Sequence, residues 1–236
     1  DPTTDRLTPT QGVDRMRAEV GTALVVRHKF IRTSVRKVSG ATDKPTACRQ
    51  GHTGPVLILL PPSEKKSPTP GPAIQVYTGV LYAALGWAHL NKAQQKLGQA
   101  TIAIISAKYG VVRPMDPIQS YKEKINNKKM AAQVAQALDG AESELIIDCR
   151  SSTYQTVWQS PVAITVEIKV FTQVAGVKKV ITHMSKKTRG EVTHEILKAS
   201  QIPKTPEELQ KIVAQRFECQ LISGDKKNPH VLEVYC

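Results

Sequence analysis

Val56-Leu57-Ile58-Leu59-Leu60 runs without a break into Pro61-Pro62-Ser63-Glu64-Lys65-Lys66. Five consecutive apolar residues closed by Pro-Pro read as a buried strand that ends abruptly. Ser63–Lys66, just beyond it, is polar and mostly charged, with one hydroxyl and two lysines. A similar arrangement returns three times: Thr101–Ile105 before Ser106-Ala107-Lys108-Tyr109-Gly110, Leu145–Asp148 before Cys149-Arg150-Ser151-Ser152-Thr153-Tyr154, and Val177–Thr182 before His183-Met184-Ser185-Lys186-Lys187-Thr188-Arg189-Gly190. Parallel strands in one sheet would align all four endings along one edge, where open α/β sheets build their ligand crevices. Four corners with cations and hydroxyls on one edge describe an anion site, with phosphate as the first ligand to consider.

Around these strands the chain alternates strands and helices from Pro55 onward, which predicts an α/β fold with a mixed, largely parallel central sheet and flanking helices. Helices are expected over Thr78–Leu90 and Asn126–Leu138; in the second, Met130, Val134 and Leu138 share a face. Ser67–Pro72 reads as a Pro-rich loop. Val162–Val170 alternates strictly, with Val162, Ile164, Val166, Ile168 and Val170 on one side, so a half-buried strand, antiparallel or at an edge, is expected. Thr205-Pro206-Glu207-Glu208 has the form of a capping box with proline at the first helical position. Arg216–Ile222 and His230–Val234 read as a closing pair of strands around Ser223-Gly224-Asp225.

Residues 1–55 differ in character and form a basic N-terminal extension, leaving 56–236 as the α/β domain. They hold ten Lys or Arg against five Asp or Glu. A helix is expected over Asp14–Val26, Arg27–Lys37 is either a nucleic-acid arm or a solvated surface, and Gly40–Gly54 reads as a linker. No chemistry is assigned to this region.

The net charge is +13 over 236 residues, which points to an anionic partner: nucleic acid, a nucleotide or, less readily, a membrane surface. The charge is uneven, since Lys178–Lys198 carries six Lys or Arg against Glu191 and Glu195. Cys48, Cys149, Cys219 and Cys236 are scattered without a C-x-x-C pair, which gives no zinc or redox motif; Cys149 and Cys219 read as buried free thiols suited to a reducing cytoplasm. No apolar run approaches the ~18 residues a membrane span needs, and no signal peptide is visible.

At the corner after Leu145–Asp148, Arg150 is set to pair with a phosphate or with its neighbour Asp148. Ser151 adds a hydroxyl. Ser63, Lys65, Ser106 and Lys108 supply two further corners, and Tyr109-Gly110 offers a ring to stack and a close backbone approach. In the fourth corner Ser185 is placed to cap a helix, and three cations, Lys186, Lys187 and Arg189, crowd a helix start that ordinarily favours acidic residues. The sequence contains no nucleophile elbow, no familiar metal-binding histidine pair and no glycine-rich phosphate loop, and it does not bring a serine, a histidine and an aspartate together as a triad.

The blocks that carry this chemistry also carry a likeness. Leu57–Lys65, Val76–Tyr82, Ser106–Pro114, Asp148–Tyr154 and His183–Glu191 resemble, in order, the motif blocks of the YaaA family of peroxide stress proteins, over about residues 56–234. The resemblance implies a cytoplasmic α/β protein of the hydrogen peroxide response that binds DNA and limits iron-dependent oxidative damage. No settled enzymatic activity comes with it. No cofactor is expected, and with few carboxylate or histidine clusters at ligand spacing no metal site is expected and any effect on iron should be indirect. Family members carry a long helical insertion with a helix-hairpin-helix-like element after the first block, whereas here only Lys66–Val76 separates Lys65 from Tyr77. The expected DNA- or anion-binding residues are Ser63, Lys65, Ser106, Lys108, Tyr109, Arg113, Arg150, Ser151, Lys186, Lys187 and Arg189. Duplex DNA is the expected partner. The alternative is an enzyme acting on a nucleotide or nucleobase in the same crevice, with Ser106, Tyr109, Arg150 and Ser151 innermost.

Overall fold

The computed structural model describes residues 54–174 and 177–236. The expectations for 1–53, including both the helix and the basic stretch, lie outside the described residues.

In chain order the elements are β1 (Val56–Leu60), β2 (Gly71–Pro72), α1 (Ala73–Val76), α2 (Val80–Leu85), α3 (Lys92–Thr101), β3 (Ile102–Ser106), β4 (Gly110–Val112), β5 (Pro117–Ile118), α4 (Asn127–Leu138), β6 (Leu145–Asp148), α5 (Ser152–Gln155), β7 (Thr165–Val174), β8 (Val177–Lys179), α6 (Thr182–Lys198), α7 (Pro206–Val213), β9 (Glu218–Ile222) and β10 (His230–Tyr235). The main sheet runs β4-β3-β1-β6-β7-β10-β9, with β8 paired to β7. Its centre is parallel from β3 through β1, β6 and β7 to β10. Antiparallel partners stand at both margins, β4 on β3 and β9 on β10. The α/β class and the mixed, largely parallel sheet are as expected.

Two apolar layers enclose the sheet's centre. On one face Val56, Ile58, Leu60, Ile102 and Ile104 pack with α1, α2, α6 and α7. On the other, Leu57, Leu59, Ala103 and Ile105 pack with Met130, Val134 and Leu138 of α4, as their spacing predicted, and with Val157 and Trp158. The chain therefore leaves β1 toward one face, while it leaves β3 and β6 toward the other. That reversal puts a crevice at the carboxyl end of β1.

Several local expectations need correction. Gly86, at φ 61°, ends α2 in the left-handed region, so the helix expected over Thr78–Leu90 becomes α2 and a separate turn, Trp87–His89. Val162–Ile164 is a 3-10 turn, and β7 is an interior strand parallel to β6 and β10. Its alternation comes from one-sided cover: Val166, Ile168 and Val170 are buried under α6, while Lys169 is exposed on the opposite face. The run Val177–Thr182 contributes only a three-residue strand antiparallel to β7. The fourth corner is thus no strand ending, and His183–Arg189 lies inside α6. Ile181, not Ser185, holds the N-cap position there; Ser185 Oγ donates back to the Ile181 carbonyl at 3.0 Å.

Other readings hold with small shifts. α4 starts one residue late, capped by the Asn126 side chain. Thr205 caps α7 by accepting from the Glu208 N–H at 3.2 Å, while Glu208 reaches back to the Lys204 N–H at 2.7 Å. The closing strands pair around Asp225, whose carboxylate accepts from the N–H groups of Lys227 and Asn228. Cys149 is buried as expected, whereas Cys219 is only half-buried. Within the Ser67–Pro72 loop, Gly71 and Pro72 pair with β5.

Candidate functional site: the carboxyl edge of the sheet

The crevice at β1 is filled by phenol rings. Five of the six tyrosines, Tyr77, Tyr82, Tyr109, Tyr121 and Tyr154, come to this edge from five separate segments. Tyr77 and Tyr121 join hydroxyl to hydroxyl at 2.8 Å, and Tyr121 meets Ser106 Oγ at 2.9 Å. Ser106 Oγ accepts the N–H groups of Lys108 (3.2 Å) and Tyr109 (3.1 Å), so its own proton goes to Tyr121. The Tyr82 hydroxyl donates to the Pro61 carbonyl at 2.7 Å. Tyr121 stands edge-on to Tyr109 and Tyr77, with centroids 5.6 and 6.4 Å apart. Burial pushes the Tyr77, Tyr82 and Tyr121 phenols up, and lifts Tyr154 to about 12.

Cations crown this cluster. Lys66 Nζ sits 3.9 Å from the Tyr121 ring centroid and 5.8 Å from that of Tyr77. Its pKa is lowered by burial, against the attraction of Glu123 and Glu64. Lys108 Nζ is 5.3 Å from the Tyr109 ring. Lys65 and Lys186 are exposed, and neither has a carboxylate within ion-pair distance among the described residues.

The expected site residues divide on this geometry. Ser63 is buried against Gly79, and its Oγ donates to the Lys65 carbonyl at 2.7 Å. Tyr109 is buried, its ring spent on Tyr121 and Lys108, and Gly110 (φ 76°) faces the Gln133 side chain. Arg113 turns inward, with one N–H on the Ile102 carbonyl at 3.1 Å. Lys187 lies 3.9 Å from Glu191. Ser151 is the N-cap of α5 without a side-chain cap bond.

Arg150 is the clearest case. It is 1% exposed, and Asp148 takes its Nε (2.9 Å) and one Nη2 N–H (2.8 Å). Nη1 serves the carbonyls of Tyr154 and Trp158, and Nη2 also reaches Ser160 at 3.4 Å. All five N–H donors are engaged within the protein. Of its two expected partners the guanidinium has Asp148, which locks the α5 turn to the end of β6.

Cys149 is also enclosed, its Sγ 3.9 Å from Thr193 Oγ1. Burial lifts its thiol to about 12, with Arg189 opposing, so it is an unreactive thiol at neutral pH. Among the described residues no group of three metal-ligating side chains occurs, and no helix is long and apolar enough to cross a membrane. The convergence of tyrosines has no counterpart in the sequence, where they are scattered singly; Tyr109 and Tyr154 carry a signal as members of basic corners, and Tyr77 and Tyr82 only as members of the Val76–Tyr82 block.

Fold and edge together define an open α/β protein whose carboxyl edge is packed with phenols and rimmed with lysines. Residues 60–221 match the model of the peroxide stress protein YaaA family, and the chain belongs to that family. A UPF0246 protein of Streptomyces coelicolor is 31% identical, over 58% of this chain and 57% of its own length. One from Corynebacterium efficiens is 37% identical over 51% and 52%. One from Corynebacterium glutamicum is 32% identical over 60% of each chain. The chain thus spans little more than half the length of the relatives it matches.

Proposed function

We propose that this member of the peroxide stress family binds duplex DNA in the cytoplasm through the carboxyl edge of its sheet, contacting phosphates with little reading of base sequence. The observation that carries this reading is the set of lysines there, Lys65, Lys108 and Lys186, that have no carboxylate within ion-pair distance among the described residues, in a chain of net charge +13. Backbone contacts of this kind position a duplex and release its condensed counterions. Ferrous iron held near phosphate is one such counterion, so lysines seated on the backbone displace the metal from the place where peroxide would turn it into a damaging oxidant. Limiting iron-dependent damage in this way requires no iron site in the protein.

The test is fluorescence anisotropy on a duplex over a salt series, for the wild type and for Lys65→Gln, Lys108→Gln and Lys186→Gln combined. Affinity should fall across sequences alike, and the log–log salt slope should become shallower by about one unit per lysine that touches phosphate. An unchanged slope and affinity would remove the edge from the interface.

The nucleotide-enzyme alternative loses most of its inner shell to structural duty. Ser106, Tyr109 and Arg150 are engaged within the protein, which leaves Ser151 from the expected set.

A further inference from the structure

Two arginines stand at the carboxyl end of β6, where β7 runs on past it, and their bonding is opposite. Arg150 has every N–H engaged. Arg189, on the second turn of α6, is half-buried and donates Nε to the Ile168 carbonyl at 3.3 Å. Among the described residues its remaining four N–H groups have no partner, and no carboxylate stands within ion-pair distance. Asp148 and Glu167 attract it from beyond that distance, but Asp148 is held by Arg150 at 2.8 Å, and Glu167 belongs to the opposite face of β7 and pairs with Lys169 at 3.4 Å. A half-buried guanidinium gives up hydration, and an unmatched one is costly unless an anion supplies what water did.

The fold holds this side chain in place rather than leaving it free. Gly190 lets α6 pack directly on α2, since a Cβ there would lie 2.1 Å from the Leu81 carbonyl oxygen. One turn further along α6, Thr193 donates to the Arg189 carbonyl at 2.8 Å and covers Cys149. Arg189 therefore lies one turn nearer the carboxyl edge than the residue above Cys149. Ser151, two residues after Cys149, brings a hydroxyl that caps nothing to the same strand ending.

We infer that Arg189 is the seat of a single phosphoryl group, received on its unfilled N–H groups at the carboxyl end of β6, beside Ile168 of β7. The inference rests on the reading of this edge as phosphate-facing and adds one defined contact to it. A guanidinium presents a fixed fork to phosphate oxygens, which distinguishes this contact from the mobile point charges of Lys65, Lys108 and Lys186. The phosphoryl group belongs either to the DNA backbone or to a free nucleotide.

Arginine modification by phenylglyoxal, mapped by mass spectrometry on the wild-type protein, tests this directly. Arg189 should be labelled in the free protein and Arg150 should not, because Arg150 has no accessible N–H. Inorganic phosphate, adenosine monophosphate and a duplex oligonucleotide are added in separate arms. Protection of Arg189 by phosphate and the nucleotide assigns the seat to a free phosphoryl group; protection by the duplex alone assigns it to the backbone. Arg189 left unlabelled in the free protein, or labelled equally in every arm, overturns the inference. For whichever probe protects, Arg189→Gln should weaken affinity roughly tenfold to a hundredfold and Arg189→Lys less. The triple lysine variant separates the two readings: duplex binding lost in that variant, with wild-type Arg189 labelled equally in every arm, retains the edge and removes the seat, and protection of wild-type Arg189 by nucleotide without any duplex binding does the reverse.

Discussion

Replacing Arg150 by methionine should destabilise the protein by about 3–5 kcal/mol, because Asp148, 2% exposed, would keep its charge without its partner. Urea unfolding checks this, and Asp148→Asn combined with Arg150→Met should cost less than the two single changes summed. A Ser106→Ala change acts at the hub where β3 meets the phenols. It leaves two backbone N–H groups and the Tyr121 hydroxyl short of a partner, at a cost of about 1–3 kcal/mol. Sequence placed both residues at strand endings but not in their roles. An arginine two positions after an aspartate can turn back or reach out, and what decides is the carbonyls of Tyr154 and Trp158, which only the folded α5 turn brings to Nη1. Arg189 was legible as a cation and illegible as a deficient one, since a missing partner leaves no mark in a sequence.

Elements that met at single atoms were less legible than elements that repeat a period. α4 and α7 were readable because an apolar spacing and a capping residue are local signals. β8 was not: Val177–Thr182 has the composition of a strand, but β7, ten residues long, overshoots β6 and the chain turns back on it as a hairpin. At the α2–α6 contact, Gly190→Ala places a methyl group against a backbone carbonyl. The helices must part, and thermal stability should fall by about 1–3 kcal/mol or more. Since Arg189 is adjacent, that variant should also lose the phosphate protection of Arg189 while still folded in the cold. Thr205→Ala should cost about 1 kcal/mol through α7 alone and leave nucleic-acid binding untouched.

At the scale of the molecule, burial of thiol and phenols sets the alkaline limit. Cys149 is raised from 9.0 to about 12 and Tyr154 from 10.0 to about 12, so both are neutral in the folded state where the unfolded chain would ionise them. Their contribution is complete below the unfolded pKa values and lost as pH rises through the folded ones. Urea midpoints should therefore hold steady to about pH 9 and decline from there toward pH 12, and Cys149→Ala should flatten the first part of that decline. The sheet itself is unevenly clothed. β3, β1 and β6 lie between two helical layers, whereas β7, β10 and β9 have helices on one face and on the other show Lys169, Glu218, Gln220 and Ile222 to solvent. Opening the second half exposes one apolar layer instead of two, so it is the cheaper excursion. Amide hydrogen exchange should register this as a gradient along the hydrogen-bonding direction: slowest at Ile58 and Ile147, faster through Leu232, and fastest at Gln220. Heat or denaturant would then loosen the molecule from the β9 margin inward, with the phenol-packed crevice among the last parts to let deuterium in.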